Sequence, residues 1–243
     1  MSSDLELALR LADRADAISL PRFGALDLVV ETKSDRSPVT AVDRDVEREL
    51  RAELARERPG DAILGEEHGA AGSGARRWIL DPIDGTRNYT RGIPVWATLL
   101  ALEEDGELAL GVVSAPALGR RWWARRGGGA FADGTPIRVS AISMIEDATL
   151  SFGLDRPLPA LAERAWHVRG YGDFWAHMLV AEGAVDGAID AVGVSLWDLA
   201  AVQVIVEEAG GTLSDFAGAR RPDGGSAVSS NGLLHAELLA SLG

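Results

Sequence analysis

Asp81-Pro82-Ile83-Asp84-Gly85-Thr86-Arg87-Asn88-Tyr89 follows the apolar run Trp78-Ile79-Leu80. The run predicts a buried strand, and Pro82 is expected to stop it and stiffen the turn. Asp81 and Asp84 stand at the strand's end, where Gly85 lets the backbone come close to a ligand. Carboxylates and a carbonyl in one turn suit Mg2+, which takes oxygen ligands in octahedral geometry. A helix starting near Gly85-Thr86 would aim its free N–H groups at the same place and favour an anion. Metal ligands beside a helix start make a phosphate site. Asp-Pro and Asp-Gly alone are ordinary turn dipeptides, so the reading depends on what the remaining residues supply.

The chain has 243 residues, 47% of them hydrophobic, enough for one large domain or two small ones. Charges at Asp4, Glu6, Arg10, Asp13, Arg14 and Asp16 leave no signal-peptide apolar region, and no apolar run is long enough to span a membrane. With no cysteine there are no disulfides and no thiolate metal site; the expected compartment is the cytoplasm. The net charge of −13 disfavours nucleic acid as a partner. It also repels a phosphate substrate, unless bound Mg2+ reverses the sign locally.

Ser3-x-x-Glu6 predicts a capping box, followed by a helix with Leu5, Ala8, Leu9, Ala12 and Ala15 on its apolar face. Lys33 to Thr40 reads as a polar loop, and Thr40-x-x-Asp43 opens a second helix with Val42, Val46, Leu50 and Leu54 on one face. Ala62-Ile63-Leu64 predicts a strand, and residues 68–74 a flexible stretch rich in Gly and Ala. Strands are expected over 95–102, 108–113 and 121–124, with turns at Asp105-Gly106, Gly127-Gly128-Gly129 and Asp133-Gly134. Beyond them short strands (149–152, 185–191, 212–214, 227–229) alternate with helices (174–184, 198–208, 232–242), an α/β rhythm. A soft boundary near residue 140 separates residues 1–140 from 141–243, and the two halves are expected to act together as one domain, catalytic if the acids meet between them. There are no repeats.

The nonapeptide closely resembles the DP(I/L)DGT(T/K)N(F/Y) signature of the inositol monophosphatase family, Mg2+-dependent phosphomonoesterases. Gly65-Glu66-Glu67, Trp197-Asp198-Leu199-Ala200-Ala201, Glu208-Ala209-Gly210-Gly211 and Thr40-Ala41-Val42-Asp43 match further motifs of that family, in order. The resemblance implies a layered αβαβα sugar-phosphatase fold, with an antiparallel sheet in the first half and a mixed sheet in the second. It implies two or three Mg2+ ions held by Glu66, Asp81, the Ile83 carbonyl, Asp84 and Asp198, which activate a water and steady the leaving oxygen. Thr86, oriented by Asp43, would position that water, and Glu66 acts with them. Ile83, Asp84, Gly85, Thr86 and Asp198 would also meet the substrate phosphate. The family is usually dimeric, so a homodimer is expected. Glu66 or Asp198 alone would read as solvated surface; with Asp81 and Asp84 they form a cluster whose mutual repulsion calls for cations. Lys33, the only lysine against 23 arginines, aligns with a family lysine near the site. The four histidines lack a nucleophile motif.

Flanking stretches resemble one branch, the bacterial histidinol-phosphate phosphatases. They include Arg22-Phe23-Gly24-Ala25-Leu26-Asp27-Leu28, Arg91-Gly92-Ile93-Pro94-Val95-Trp96-Ala97, Tyr171-Gly172-Asp173-Phe174 and Asn231-Gly232-Leu233-Leu234-His235. That resemblance implies a substrate with an amine and an imidazole. Arg169 aligns with a family arginine at the substrate mouth; as bare sequence it is equally a surface residue at a strand end. Where the family often has a substrate-contacting glutamate this chain has Ala191. Asp190 beside it is the candidate replacement, with Asp173 second. An inositol monophosphatase or nucleotide phosphatase, and a non-catalytic binder that keeps the fold, are the competing readings.

Overall fold

The computed structural model describes residues 3–33, 38–153, 158–190 and 193–242. Helix α1 (Asp4–Ser19) carries the expected capping box of Ser3 and Glu6. A short antiparallel pair, β1 (Val30–Thr32) and β2 (Pro38–Thr40), leads into α2 (Ala41–Glu57), capped likewise by Thr40 and Asp43. Residues 34–37 of the polar loop lie outside the described residues, as does Ala191. Then come β3 (Ala62–Gly65), β4 (Gly69–Ala71), β5 (Arg76–Asp84), the short helix α3 (Thr86–Thr90), β6 (Ala97–Glu104), β7 (Glu107–Ala115), β8 (Arg120–Arg125), β9 (Ala130–Ala132) and β10 (Thr135–Ile137). Beyond these lie β11 (Thr149–Phe152), α4 (Pro159–Arg164), β12 (His167–Arg169), α5 (Asp173–Ala181), β13 (Gly187–Asp190), α6 (Leu196–Glu208), β14 (Thr212–Ser214), β15 (Ala227–Ser230) and α7 (His235–Ala240).

Among the described residues β3 to β10 form one sheet, in the order β10-β9-β8-β7-β6-β5-β3-β4, and β12-β11-β13-β15-β14 form a second. The first sheet is antiparallel except where β3 runs parallel to β5, which corrects the purely antiparallel expectation. The second is mixed, parallel at β12-β11-β13 and antiparallel at β13-β15-β14.

Alternation along the central strands builds the layers. Successive side chains leave a strand on opposite faces, so Trp78, Leu80, Leu100 and Leu102 pack with Leu7, Leu11, Val46 and Leu50 of α1 and α2. Ile79, Leu99 and Ala101 face Phe174 and Met178 of α5 and Leu199, Val202 and Ile205 of α6. Helix α6 is buried without a break from Leu199 to Val206, as befits a helix enclosed on all sides. On the far face of the second sheet, Leu150, Phe152, Ile189 and Val228 cluster with Leu161 of α4 and Leu238 of α7. The order is helices, sheet, helices, sheet, helices, the αβαβα sandwich expected.

Two local expectations are corrected. Pro82 does not stop the strand: β5 continues to Asp84, with the pairing to β6 shifted between Asp81 and Asp84. A proline cannot donate to a ladder, so the bulge accommodates it, and its carbonyl accepts from Thr98 Oγ1 at 2.8 Å. Within residues 68–74, Gly69–Ala71 is not an irregular loop but edge strand β4, paired antiparallel with β3.

Candidate active site

The bulge aims the end of β5 at the start of two helices. Asp81 is buried, and its Oδ1 accepts the Ile83 N–H at 3.1 Å. Gly85 adopts a φ of 78° as α3 begins, and a Cβ there would stand 2.9 Å from the Val95 carbonyl oxygen. The turn needs glycine on both counts. Asp84 Oδ2 accepts the backbone N–H of Phe174, at the start of α5, at 2.7 Å. Asp198 sits in the first turn of α6, where its Oδ2 accepts the Ser195 N–H at 2.6 Å in a capping box.

These elements bring one carboxylate oxygen each from Asp81, Asp84 and Asp198 within 4.8 Å of one another. Burial, and then the charges of Glu66, Asp84 and Asp198, hold the Asp81 carboxyl well above its usual range. Burial followed by the charges of Asp173 and Asp198 does the same to Asp84. Burial pushes Asp198 up to about 7, against the Ser195 N–H and with help from Glu66. Such a group must share protons or hold a cation. All its donors are hard oxygens, with no imidazole or thiolate, so the residues present fit Mg2+ or a similar ion.

Glu66 lines the same cleft but is not one of those three. Its Oε1 accepts from Lys33 Nζ at 2.7 Å, and the ammonium also reaches Glu67 Oε1 at 2.5 Å. Burial pulls the Lys33 pKa down, but the hydrogen bonds to Glu66 and Glu67 outweigh it and raise it. The turn carrying Glu66 is held from below by Glu47, a fully buried carboxylate on α2. Glu47 accepts the N–H groups of Glu67 at 2.7 Å and His68 at 3.2 Å, and the Arg51 guanidinium at 2.6 Å. Gly65 makes room for it: a Cβ there would fall 2.1 Å from Glu47 Oε1. Sequence reading missed Glu47, although it lies one helical turn after Asp43 and so shares its face.

Thr86 Oγ1 lies 2.8 Å from the Ile83 carbonyl oxygen and 3.3 Å from Asp43 Oδ1. One hydroxyl proton cannot serve both acceptors, and the shorter contact takes it. Asp43 Oδ2 is engaged by Thr40, through its hydroxyl at 2.6 Å and its N–H at 2.9 Å. Burial raises the Asp43 carboxyl, and Thr40 opposes the rise.

The cleft, about 740 Å3, is lined by Glu66, Asp84, Gly85, Thr86 and Asp198 together with Phe152, Tyr171, Asp173, His177, Asp190 and Val194. Asp173 has a φ of 48°, uncommon for a residue with a side chain, and its Oδ2 accepts from Asn88 Nδ2 at 3.0 Å. Burial, then the charge of Asp190, pushes the Asp173 carboxyl up to about 6, with Arg87 and His177 opposing. Arg169 is exposed, donates to the Val168 carbonyl oxygen at 2.8 Å, and is not among the residues lining the cleft. Its neighbours Gly170 and Tyr171 are. His177, also missed from sequence, is buried with Nε2 3.0 Å from Asp190 Oδ2; its spacing of four from Asp173 on α5 was the available signal.

A two-sheet, five-layer sandwich with this oxygen cluster defines a phosphatase of the sugar-phosphatase fold. The sequence pattern of the inositol monophosphatase family matches residues 1–243, and the chain belongs to that family. It is 54% identical to a histidinol-phosphatase of Mycobacterium tuberculosis, over 98% of this chain and 97% of that protein. Against a histidinol-phosphatase of Streptomyces coelicolor the identity is 49%, over 98% and 96%. The solved structure of an inositol monophosphatase of Thermotoga maritima superposes with a TM-score of 0.90 at 34% identity, covering 98% of this chain and 96% of that one.

Proposed function

We propose that the protein is a Mg2+-dependent phosphomonoesterase that releases phosphate from L-histidinol phosphate. The observation that carries the reading is the convergence of Asp81, Asp84 and Asp198 oxygens within 4.8 Å, at the floor of a cleft that Asp84 and Asp198 line together with Asp173 and Asp190. Near-full-length similarity to proteins named histidinol-phosphatase supports the choice of alcohol. Asp81, Asp84 and Asp198 would hold the ions, with Glu66 and the Ile83 carbonyl completing the set, for two or three Mg2+ in all. Bound there, Mg2+ supplies Lewis-acid activation of a water and neutralises charge on the leaving oxygen.

The chain's own residues orient the reaction. The Gly85 and Thr86 N–H groups receive phosphate oxygens. The Thr86 hydroxyl donates to the Ile83 carbonyl at 2.8 Å, and its oxygen is left to accept a hydrogen bond from a water and so orient it. Lys33 Nζ holds Glu66 Oε1 at 2.7 Å and so orders the side chain that faces the acids. Asp190, with Asp173, receives the substrate's cationic amine, which an uncharged inositol lacks.

Residues 1–140 and 141–243 act as one catalytic domain; the packing of α6 against the strands of the first sheet supports this. A homodimer is proposed on the family resemblance, and a cytoplasmic setting on the absence of cysteine. A nucleic-acid-binding role fits poorly with a net charge of −13 and a full set of acids. Among the described residues no helix is long and apolar enough to cross a membrane. Phosphate release with Mg2+ from histidinol phosphate, inositol 1-phosphate and adenosine 3′,5′-bisphosphate tests the reading. The highest kcat/KM is expected for histidinol phosphate; preference for inositol phosphate would overturn the substrate while leaving the metal site.

A further inference from the structure

We propose that His177 is a positioning residue for substrate selection, its buried imidazole holding the Asp190 carboxylate in the orientation that receives a cationic amine. This rests on the reading of Asp190 given above. Asp190 ends β13, and His177 lies in the middle of α5, packed above that strand. The ring is 1% exposed and contacts a polar atom at each nitrogen: Asp190 Oδ2 at 3.0 Å from Nε2 and Ser229 Oγ at 2.7 Å from Nδ1.

The bonding directions follow from the donors available. An ionised carboxylate only accepts, so Nε2 carries a proton toward Asp190. In the neutral ring Nδ1 then accepts the Ser229 hydroxyl. Ser229 is fully buried on β15, the strand paired with β13. The ring is pinned between two adjacent strands and cannot turn without stranding a buried polar atom, which costs free energy.

That pinning decides which oxygen of Asp190 is offered to the cleft. Oδ2 is taken by His177. Oδ1 has no hydrogen bond among the described residues. Gly153, which also lines the cleft, lies beside it; a Cβ there would stand 3.3 Å from Oδ1. Among the described residues one oxygen is anchored and the other has no partner, the arrangement a charge-assisted hydrogen bond to an ammonium needs. A carboxylate released from His177 could rotate and would lose order on binding.

Steady-state kinetics on histidinol phosphate and on 4-nitrophenyl phosphate, which has no amine, test this. His177→Asn removes the donor at the Nε2 position. It should raise KM for histidinol phosphate about tenfold more than KM for 4-nitrophenyl phosphate, the scale of one charge-assisted hydrogen bond, with the change in KM rather than kcat. His177→Gln, whose amide nitrogen can stand near the Nε2 position, should recover most of that difference. Equal effects on both substrates, or no recovery with glutamine, would overturn the proposal in favour of plain packing. If His177→Asn fails to fold, Ser229→Ala keeps the imidazole but frees its Nδ1 side; a smaller shift in the same direction is expected, and no shift overturns the proposal. Asp190→Ala separates the two readings. If it leaves amine selectivity intact, Asp190 is not the amine acid and both fall. If it abolishes selectivity while His177→Asn does not, only the His177 role falls.

Discussion

The Asp84 carboxylate accepts a 2.7 Å hydrogen bond from the backbone N–H of Phe174. Asp84 ends a strand of the first sheet, and Phe174 lies in the first turn of the helix that carries Asp173 and His177. One carboxylate therefore faces the other acids of the cluster and also fixes the helix that lines the rest of the cleft. An ionised acceptor suits both duties, since a first-turn N–H has no intrahelical partner.

Asp84→Asn should abolish measurable turnover, a loss of more than about a hundredfold, with the fold retained. The amide oxygen can still accept from Phe174, while the charge that repels Asp198 is gone. Phosphate release together with thermal melts in EDTA and in Mg2+ checks this. The melting temperature in EDTA should equal or exceed wild type, and its rise on adding Mg2+ should shrink.

The raised carboxyl of Asp198 makes metal-free stability depend on pH. Its folded pKa, about 7, lies above the ordinary aspartate value of 3.8. The folded state therefore binds the proton more tightly. That contribution is complete below about pH 4 and is lost as pH rises through about 7. In EDTA, Asp198→Asn should melt close to wild type at pH 4 and several degrees above it at pH 7.5. A difference that is constant across that range would contradict the linkage.

Gly65→Ala should act through Glu47. A methyl at Gly65 would meet both carboxylate oxygens, 2.1 and 2.8 Å away, forcing apart the contact that holds the Glu66 turn. The expected cost is about 1–3 kcal/mol, typical of overpacking, read by denaturant unfolding. The Mg2+ concentration for half-maximal rate should rise as Glu66 loses its place. Normal stability and normal Mg2+ dependence would mean the turn relaxes freely.

Asp190→Ala should lower kcat/KM for histidinol phosphate by about ten- to a hundredfold relative to inositol 1-phosphate, the worth of a hydrogen bond to a charged group. Equal losses on the two substrates would make the residue structural.

Much of this was legible in the residues because it is local. Capping boxes at Ser3-Glu6 and Thr40-Asp43, the strands expected at Trp78-Ile79-Leu80 and over 95–102, and the turn at Gly85 each depend on neighbours a few positions apart, and all reappear in three dimensions. Short edge elements were harder. β4, β12 and α4 are three to six residues long, too short for a period, and exist because a longer neighbour pairs or packs with them. Pro82 misled because a bulge, invisible in sequence, absorbs its missing donor.

The sequence by itself determined the chemistry available: an all-oxygen acid set, a glycine where the turn needs a positive φ, and no thiolate. Only the tertiary structure decided which acids meet. Packing of α6 against the first sheet brings Asp198 to Asp81 and Asp84, and pairing of β13 with β15 sets Ser229, His177 and Asp190 in line. It also left Arg169 facing solvent on β12 and turned Glu66 to Lys33. The physical reason is range. Propensity and periodicity act over a few residues, whereas a carboxylate's protonation and partners follow from burial and from charges that adjoin it only after the layers close.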